Sequence, residues 1–206
     1  MTGAVAGLAV AWWFAYAWHV ARWARGLGAP DTPLAASVEG LTVVVPCRNE
    51  AERLGALLSD LAPMMDQILV VDDHSTDGTA AVATAHGARV VRADGHGKKA
   101  ALRTGFQAAT TPWVATLDGD VRVGPHWARA LLGAATPGVQ AVIGPVRLAP
   151  AQTALDRVQS FEYGAMMAWA LTTAAAGRAE NASSANLLWH RTTWLAPDLP
   201  TTEPSG

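Results

Sequence analysis

Cysteine is nearly missing from this 206-residue chain, with Cys47 the only one. A single thiol excludes a disulfide framework and a cysteine-rich metal site. An excess of basic charge is missing as well: Lys and Arg total 15 against 17 Asp and Glu, for a net charge of −2. No positive field is therefore available for nucleic acid, and none is expected as a partner. Lysine is confined to Lys98 and Lys99. No internal repeat or low-complexity tract is found, and no G-x-G-x-x-G follows the first strand-like run, which argues against a dinucleotide oxidoreductase. What the chain does have is apolar residues, at 50%. That is ample for a buried core of one domain, or one domain plus an appendage.

Part of the apolar surplus lies at the N-terminus. Residues 1–21 contain no Asp, Glu, Lys or Arg, and the run from Gly3 to Ala21 is followed at once by Arg22 and Arg25. At about 1.5 Å per residue such a helix spans roughly 28 Å, close to a hydrocarbon core of about 30 Å. Trp12, Trp13, Tyr16, Trp18 and Trp23 suit a membrane interface, although Trp12 and Trp13 fall deep for that role. A cleaved signal peptide carries its basic residues first, the reverse of this order. Residues 1–25 are therefore expected to form a transmembrane anchor; a buried core helix is the alternative. The positive-inside rule places the N-terminus outside and the rest of the chain on the cytoplasmic face of the cell's inner membrane, as a single-pass protein. Residues 26–40, rich in Gly, Pro and Ala, read as a linker, and residues 41–206 as the globular domain.

From Leu41 onward, strand and helix patterns alternate. Leu41–Val45 is a β-branched apolar run closed by Pro46, as suits a fully buried parallel strand. Asn49 and Glu52 have the spacing of a capping box, ahead of a stripe made by Leu54, Leu57, Leu58 and Leu61. Ile68–Val71, Ala88–Ala93, Trp113–Leu117 and Val139–Val146 read as further strands. Helices are expected from a Ser75 or Thr76 cap to Gly87, over Lys98–Ala109 and over Pro125–Ala135. This alternation predicts an α/β fold with a mostly parallel sheet. Residues 151–177 form one long helical pattern. Its uncharged part is too short for a second crossing, so a buried or membrane-surface helix is expected.

In open parallel sheets ligands bind beyond the carboxyl ends of the strands, and polar residues gather there. The first strand is followed by Pro46-Cys47-Arg48-Asn49-Glu50, the second by Asp72-Asp73-His74-Ser75-Thr76-Asp77-Gly78, the third by Asp94-Gly95-His96-Gly97-Lys98-Lys99, and the fourth by Asp118-Gly119-Asp120. Asp118 and Asp120 can converge on a hard divalent cation such as Mg²⁺ or Mn²⁺, and Gly119 lets a ligand come close to the backbone. A carboxylate at Asp73 can accept from a nucleobase N–H or a ribose hydroxyl, while Asp, Ser and Thr here also suit turns and caps; Asp77 is expected to serve only as a cap. Lys98 and Lys99 at a helix start suit an anion such as a diphosphate. His96 is read equally as a loop residue or a ligand. Cys47 is read as core filler, with no catalytic His assigned to it.

The ordered segments TVVVPCRNEAERL (42–54), ILVVDDHSTDGTA (68–80), GHGKKAALRTGFQAA (95–109) and WVATLDGDVRV (113–123) resemble the family 2 glycosyltransferases. These are inverting enzymes with a GT-A-type nucleotide-diphospho-sugar-binding fold. The resemblance implies that Pro46, Asn49 and Glu50 line the nucleotide pocket. It implies that Asp73, with Asp72 beside it, reads a uracil-type base, and that Lys98 lies near the phosphates. Asp118 and Asp120 become the family's D-x-D, which holds the donor diphosphate through Mn²⁺ or Mg²⁺. The donor is then a nucleotide-diphospho-sugar and the acceptor a hydroxyl, with a lipid or an envelope polysaccharide suggested by the anchor. Ser184-Ala185-Asn186 occupies the place of the family's Gly-Ala-Asn run, with Ser at the Gly position. After TTEPSG, relatives continue with paired acidic residues that include the presumed base. This chain looks truncated before them, and Glu203 is the one nearby acidic substitute. A membrane-tethered nucleotide-sugar-binding remnant without turnover is the alternative.

Two other enzyme classes fit less well. LDGDV also resembles the first motif of haloacid-dehalogenase-type phosphatases, but no lysine follows Asp120. A sugar-phosphate nucleotidyltransferase wants a Gly-rich basic loop after its first strand, and PCRNE is not one.

Overall fold

The structure, a computed structural model, describes residues 33–178 and 181–196. The expected anchor at 1–25, residues 26–32 of the linker, and Glu203 lie outside the described residues. No helix among the described residues is long and apolar enough to cross a membrane.

In chain order the elements are β1 (Leu41–Cys47), α1 (Ala51–Leu61), β2 (Ile68–Asp72), α2 (Thr79–Ala85), β3 (Arg89–Arg92), α3 (Lys98–Ala108), β4 (Trp113–Leu117), α4 (Trp127–Ala134), β5 (Ala141–Ile143), α5 (Ala154–Ala175), β6 (Asn186–His190) and the single turn α6 (Arg191–Trp194). They fall into two compact units. One contains residues 33–144 and 184–196, and the other residues 145–178 and 181–183. Residues 41–206, read from the sequence as one domain, thus contribute to both.

The larger unit is built on one six-stranded sheet, in the order β3-β2-β1-β4-β6-β5. β1, β2, β3 and β4 pair in parallel, as their apolar runs and intervening helices require. β6 runs antiparallel to both β4 and β5, so the sheet is mixed and mostly parallel. Alternation along β1 serves both faces. Val43 and Val45 join Leu54, Leu57, Leu58 and Leu61 of α1 in one core, all of them fully buried. Val44 joins Leu69, Val71, Ala101, Phe106 and Val114 in a second core on the other face. Each fully buried leucine contributes about 1.5–3 kcal/mol of transfer free energy, so the α1 stripe is what fixes that helix to the sheet. On the opposite face α3 lies unusually close: a Cβ on Gly105 would come within 2.4 Å of Val44 Cγ1.

Several boundaries differ from the sequence expectation. Asn49 does not cap α1. Its backbone sits at φ 56°, and its side-chain oxygen instead accepts from the Thr76 N–H at 2.9 Å. Glu50 takes the N-cap position and gives no side-chain cap, while the Ala51 N–H donates to Asp77. Neither Ser75 nor Thr76 caps α2, which starts later, at Thr79 after Gly78. The expected strand at Val139–Val146 shrinks to Ala141–Ile143. Gly144 N–H donates to the Asn186 carbonyl, and the Asn186 side chain fills the space where a Cβ on residue 144 would go. Pro145 then has no N–H with which to continue the ladder.

In the smaller unit the long helical pattern becomes the 22-residue α5. A full capping box opens it: the Asp156 N–H donates to Thr153 Oγ1, and Asp156 Oδ2 accepts from the Thr153 N–H at 2.8 Å.

Candidate active site at the carboxyl ends of the strands

The parallel strands β1, β2 and β3 and their neighbour β4 all end on one side of the sheet, and their loops are tied together there. The β1 loop and the β2 loop are joined by hydrogen bonds that use mostly backbone donors. Asn49 N–H donates to Ser75 Oγ at 3.0 Å, Thr76 N–H to Asn49 Oδ1, Glu50 N–H to Thr79 Oγ1 at 2.9 Å, and Asp73 N–H to the Cys47 carbonyl at 2.8 Å. Thr79 hydroxyl donates to Asp77 Oδ1 at 2.5 Å, and its backbone N–H to the same oxygen at 3.0 Å. With Ala51 N–H on its other oxygen, Asp77 caps the N-termini of α1 and α2 together. The Thr79 hydroxyl bond, first, and the backbone bonds hold its carboxyl below the usual carboxylate range. The structural role expected of Asp77 is present and extends to a second helix.

Asp72 accepts from the Ser75 N–H at 3.1 Å, which closes the turn after β2. Asp73 is buried, 5% exposed, and its Oδ2 accepts the Gly97 N–H at 2.8 Å from the turn before α3. Gly97 has φ 88°, a left-handed conformation that glycine adopts without strain. Immediately after it, Lys98 opens α3 and places Nζ 2.5 Å from Asp118 Oδ1. One dipeptide, Gly97-Lys98, therefore connects Asp73 with Asp118.

Asp120 pairs with Arg53 of α1 at 3.7 Å, and the same guanidinium reaches Glu50 at 3.8 Å. Sequence reasoning missed Arg53; the only signal was its i, i+3 spacing from Glu50. Gly119 is buried, and a Cβ there would lie 3.1 Å from Cys47 Sγ and 3.4 Å from Glu50 Cγ. The glycine was read as space for a ligand. In the fold it lets the β4 loop seat on the end of β1.

Cys47 lies beneath this arrangement. Burial raises its thiol pKa to about 12, and the charges of Glu50, Asp72, Asp118 and Asp120 push in the same direction. The thiolate is therefore not populated near neutral pH, as core filler requires and a nucleophile does not. Carboxylate oxygens are donors of the kind hard divalent cations take. Asp118 and Asp120 fit the holding of such an ion, with Lys98 and Arg53 already supplying positive charge to the pair.

Antiparallel β6 brings the Ser184–Asn186 run to the same place. Asn186 is in register with Leu117, the residue before Asp118, and Thr116 Oγ1 donates to the Ser184 carbonyl at 2.8 Å. The buried Asn186 side chain accepts from Trp127 Nε1 at 2.9 Å. Pro46 and Asp72 at the ends of β1 and β2, Lys98 at the start of α3, and Asn49, Glu50, Asp73, Asp118 and Asp120 in the loops thus all lie on the strand-end side.

A mostly parallel α/β sheet with a lysine at a helix start and carboxylates at the strand ends gathers its polar groups where such sheets bind ligands. The chain belongs to glycosyl transferase family 2, whose family model matches residues 42–187. It is 49% identical over 82 residues to an uncharacterized glycosyltransferase of Mycobacterium tuberculosis strain H37Rv, covering 40% of this chain and 37% of that protein. It is 40% identical over 91 residues to the 4,4'-diaponeurosporenoate glycosyltransferase of Staphylococcus aureus strain MRSA252, covering 40% of this chain and 24% of the relative. The chain thus spans well under half the length of these curated relatives. Among solved structures it is similar to mannosyl-3-phosphoglycerate synthase from Rubrobacter xylanophilus, with TM-score 0.53 and 27% identity over 84% of this chain and 57% of that one.

Proposed function

We propose that this chain binds a nucleotide-diphospho-sugar, of which a uridine nucleotide is the expected form, and transfers its sugar with inversion to an acceptor hydroxyl. The observation that carries the reading is the Lys98–Asp118 contact at 2.5 Å. It brings an anion-binding lysine at a helix N-terminus and a metal-binding carboxylate to one point, which is what a metal-bound diphosphate needs. Asp118 and Asp120 hold the divalent cation, Mn²⁺ or Mg²⁺. Bound there, it supplies Lewis-acid stabilisation of the charge on the departing nucleoside diphosphate. Lys98 moves from Asp118 to a phosphate oxygen, and Asp73 accepts from the base or ribose. Pro46, Asn49 and Glu50 form the pocket wall, with the Asn49 N–H held by Ser75, the Asn49 side chain by Thr76 and the Glu50 N–H by Thr79. The acceptor oxygen then bonds to the anomeric carbon as the bond to the diphosphate oxygen breaks, and the acceptor proton passes to a general base.

Residues 1–25 anchor the domain, with the N-terminus outside and the catalytic face in the cytoplasm. A lipid or envelope-glycan acceptor fits that position; one relative is named for its action on 4,4'-diaponeurosporenoate. Calorimetry with uridine diphosphate tests the donor half of the reading. Affinity should rise with Mn²⁺ and fall with EDTA; indifference to EDTA would remove the D-x-D assignment. A reporter fused after residue 206 tests topology, and an external signal would overturn it.

A further inference from the structure

The donor reading gives no role to two histidines that flank Asp73. Asp73, His74 and His96 each offer a ligand atom within 4.8 Å of the other two, the one such group of three among the described residues. His74 Nδ1 lies 3.3 Å from Asp73 Oδ1. That is close to the edge of a tetrahedron with metal–ligand bonds of about 2.0–2.1 Å. The His74 and His96 rings lie 4.2 Å apart, tilted by 31°. His96 is exposed, so its ring can turn toward the other two ligands. The second Asp73 oxygen is already held by the Gly97 N–H at 2.8 Å, the kind of outer contact that orients a metal-ligating carboxylate.

We propose that Asp73, His74 and His96 form a second cation site, distinct from Asp118 and Asp120, that selects borderline metals of the Zn²⁺ class. Two imidazole nitrogens and one carboxylate oxygen suit Zn²⁺ and leave a fourth position for water, whereas Mg²⁺ prefers oxygen ligands throughout. The two sites lie on either side of the Gly97-Lys98 step. An ion at the histidine site takes up the free side of Asp73 and ties the β2 and β3 loops together. It therefore competes with the nucleoside, a consequence that rests on the donor reading.

Titration of the full chain with Zn²⁺ alone, and with Co²⁺ followed by visible absorption, tests the site. One equivalent should bind with His-dependent affinity, apart from any ion at Asp118 and Asp120. His96→Ala and His74→Asn should each weaken binding about tenfold or more, and Asp120→Ala should leave it unchanged. His96 is exposed, and circular dichroism verifies that its variant is folded. Unchanged Zn²⁺ affinity in His96→Ala, or its loss in Asp120→Ala, overturns the site. Uridine diphosphate affinity is then measured in saturating Mg²⁺ with and without one equivalent of Zn²⁺. A loss of about tenfold in wild type but not in His96→Ala supports competition. No loss in wild type, or an equal loss in both proteins, overturns it. Zn²⁺ binding as described, in a chain with no affinity for uridine diphosphate under any metal, supports the site and removes the donor reading.

Discussion

The loops after β1 and β2 and the loop after β4 meet at one place but are held by different physics. The first two are joined by short, largely neutral hydrogen bonds from backbone N–H groups, with the fully buried Thr79 at the centre. The β4 loop is held by charge: Asp118 by Lys98 and Asp120 by Arg53, with side chains 34% to 66% exposed. Several directed bonds to backbone N–H groups fix geometry together, whereas exposed ion pairs contribute about 0–1 kcal/mol and exchange partners readily. The first region is a preformed wall. The second is the region where the proposed donor would replace protein cations with a metal ion and a diphosphate.

That contrast can be broken or sharpened by measurement. The largest effect should come from Asp120→Ala, with Mn²⁺-dependent uridine diphosphate affinity falling about a hundredfold while metal-free affinity is kept. Asp73→Ala should weaken binding with or without metal, since the contact proposed for it is direct. Calorimetry in Mn²⁺ and in EDTA separates the two.

Next is Thr79→Val, which removes the acceptor for Glu50 N–H and the donor to Asp77. Urea unfolding should show a loss of about 1–3 kcal/mol. Lys98→Gln should cost no more than about 1 kcal/mol of stability yet weaken nucleotide binding clearly. Equal stability losses in Thr79→Val and Lys98→Gln would erase the distinction between the two regions.

The smallest effect concerns acid. Arg122, in the β4 loop, makes a paired hydrogen bond to Asp60 of α1 at 2.6 and 2.7 Å. That bond, first, and then the Val123 N–H hold the Asp60 carboxyl below its usual range. A depressed carboxyl contributes stability above the unfolded value of about 3.9, and the contribution is lost as pH falls through the folded value. Asp60→Asn should therefore narrow the stability difference between neutral and acid pH, read from urea midpoints across a pH series.

Much of this was legible in the residues. The leucine stripe at 54, 57, 58 and 61 gave α1 its buried face, because helical period alone decides which side is apolar. β-branched runs closed by polar residues marked β1, β2 and β4, whose ends gather the polar residues proposed as the site. Asn49 was misread because its spacing to Glu52 satisfies a local capping rule. In the fold its side chain answers a backbone donor in another loop, Thr76, 27 residues away. The same holds for Gly119, whose partner Cys47 lies at the end of a different strand. Arg53 and Trp127 were missed for the same reason: each acts on a residue, Asp120 or Asn186, that only folding brings near.

The sequence by itself determined the alternation of strand and helix, the parallel half of the sheet and the four polar strand ends. Those follow from local periodicity and from the handedness of crossover connections. The tertiary structure alone decided that β6 enters antiparallel beside β4 and delivers Asn186 next to Asp118. It alone decided that Gly97-Lys98 joins Asp73 to Asp118. Both depend on long-range pairing, in which the partner's register rather than the residue's own neighbourhood sets the contact.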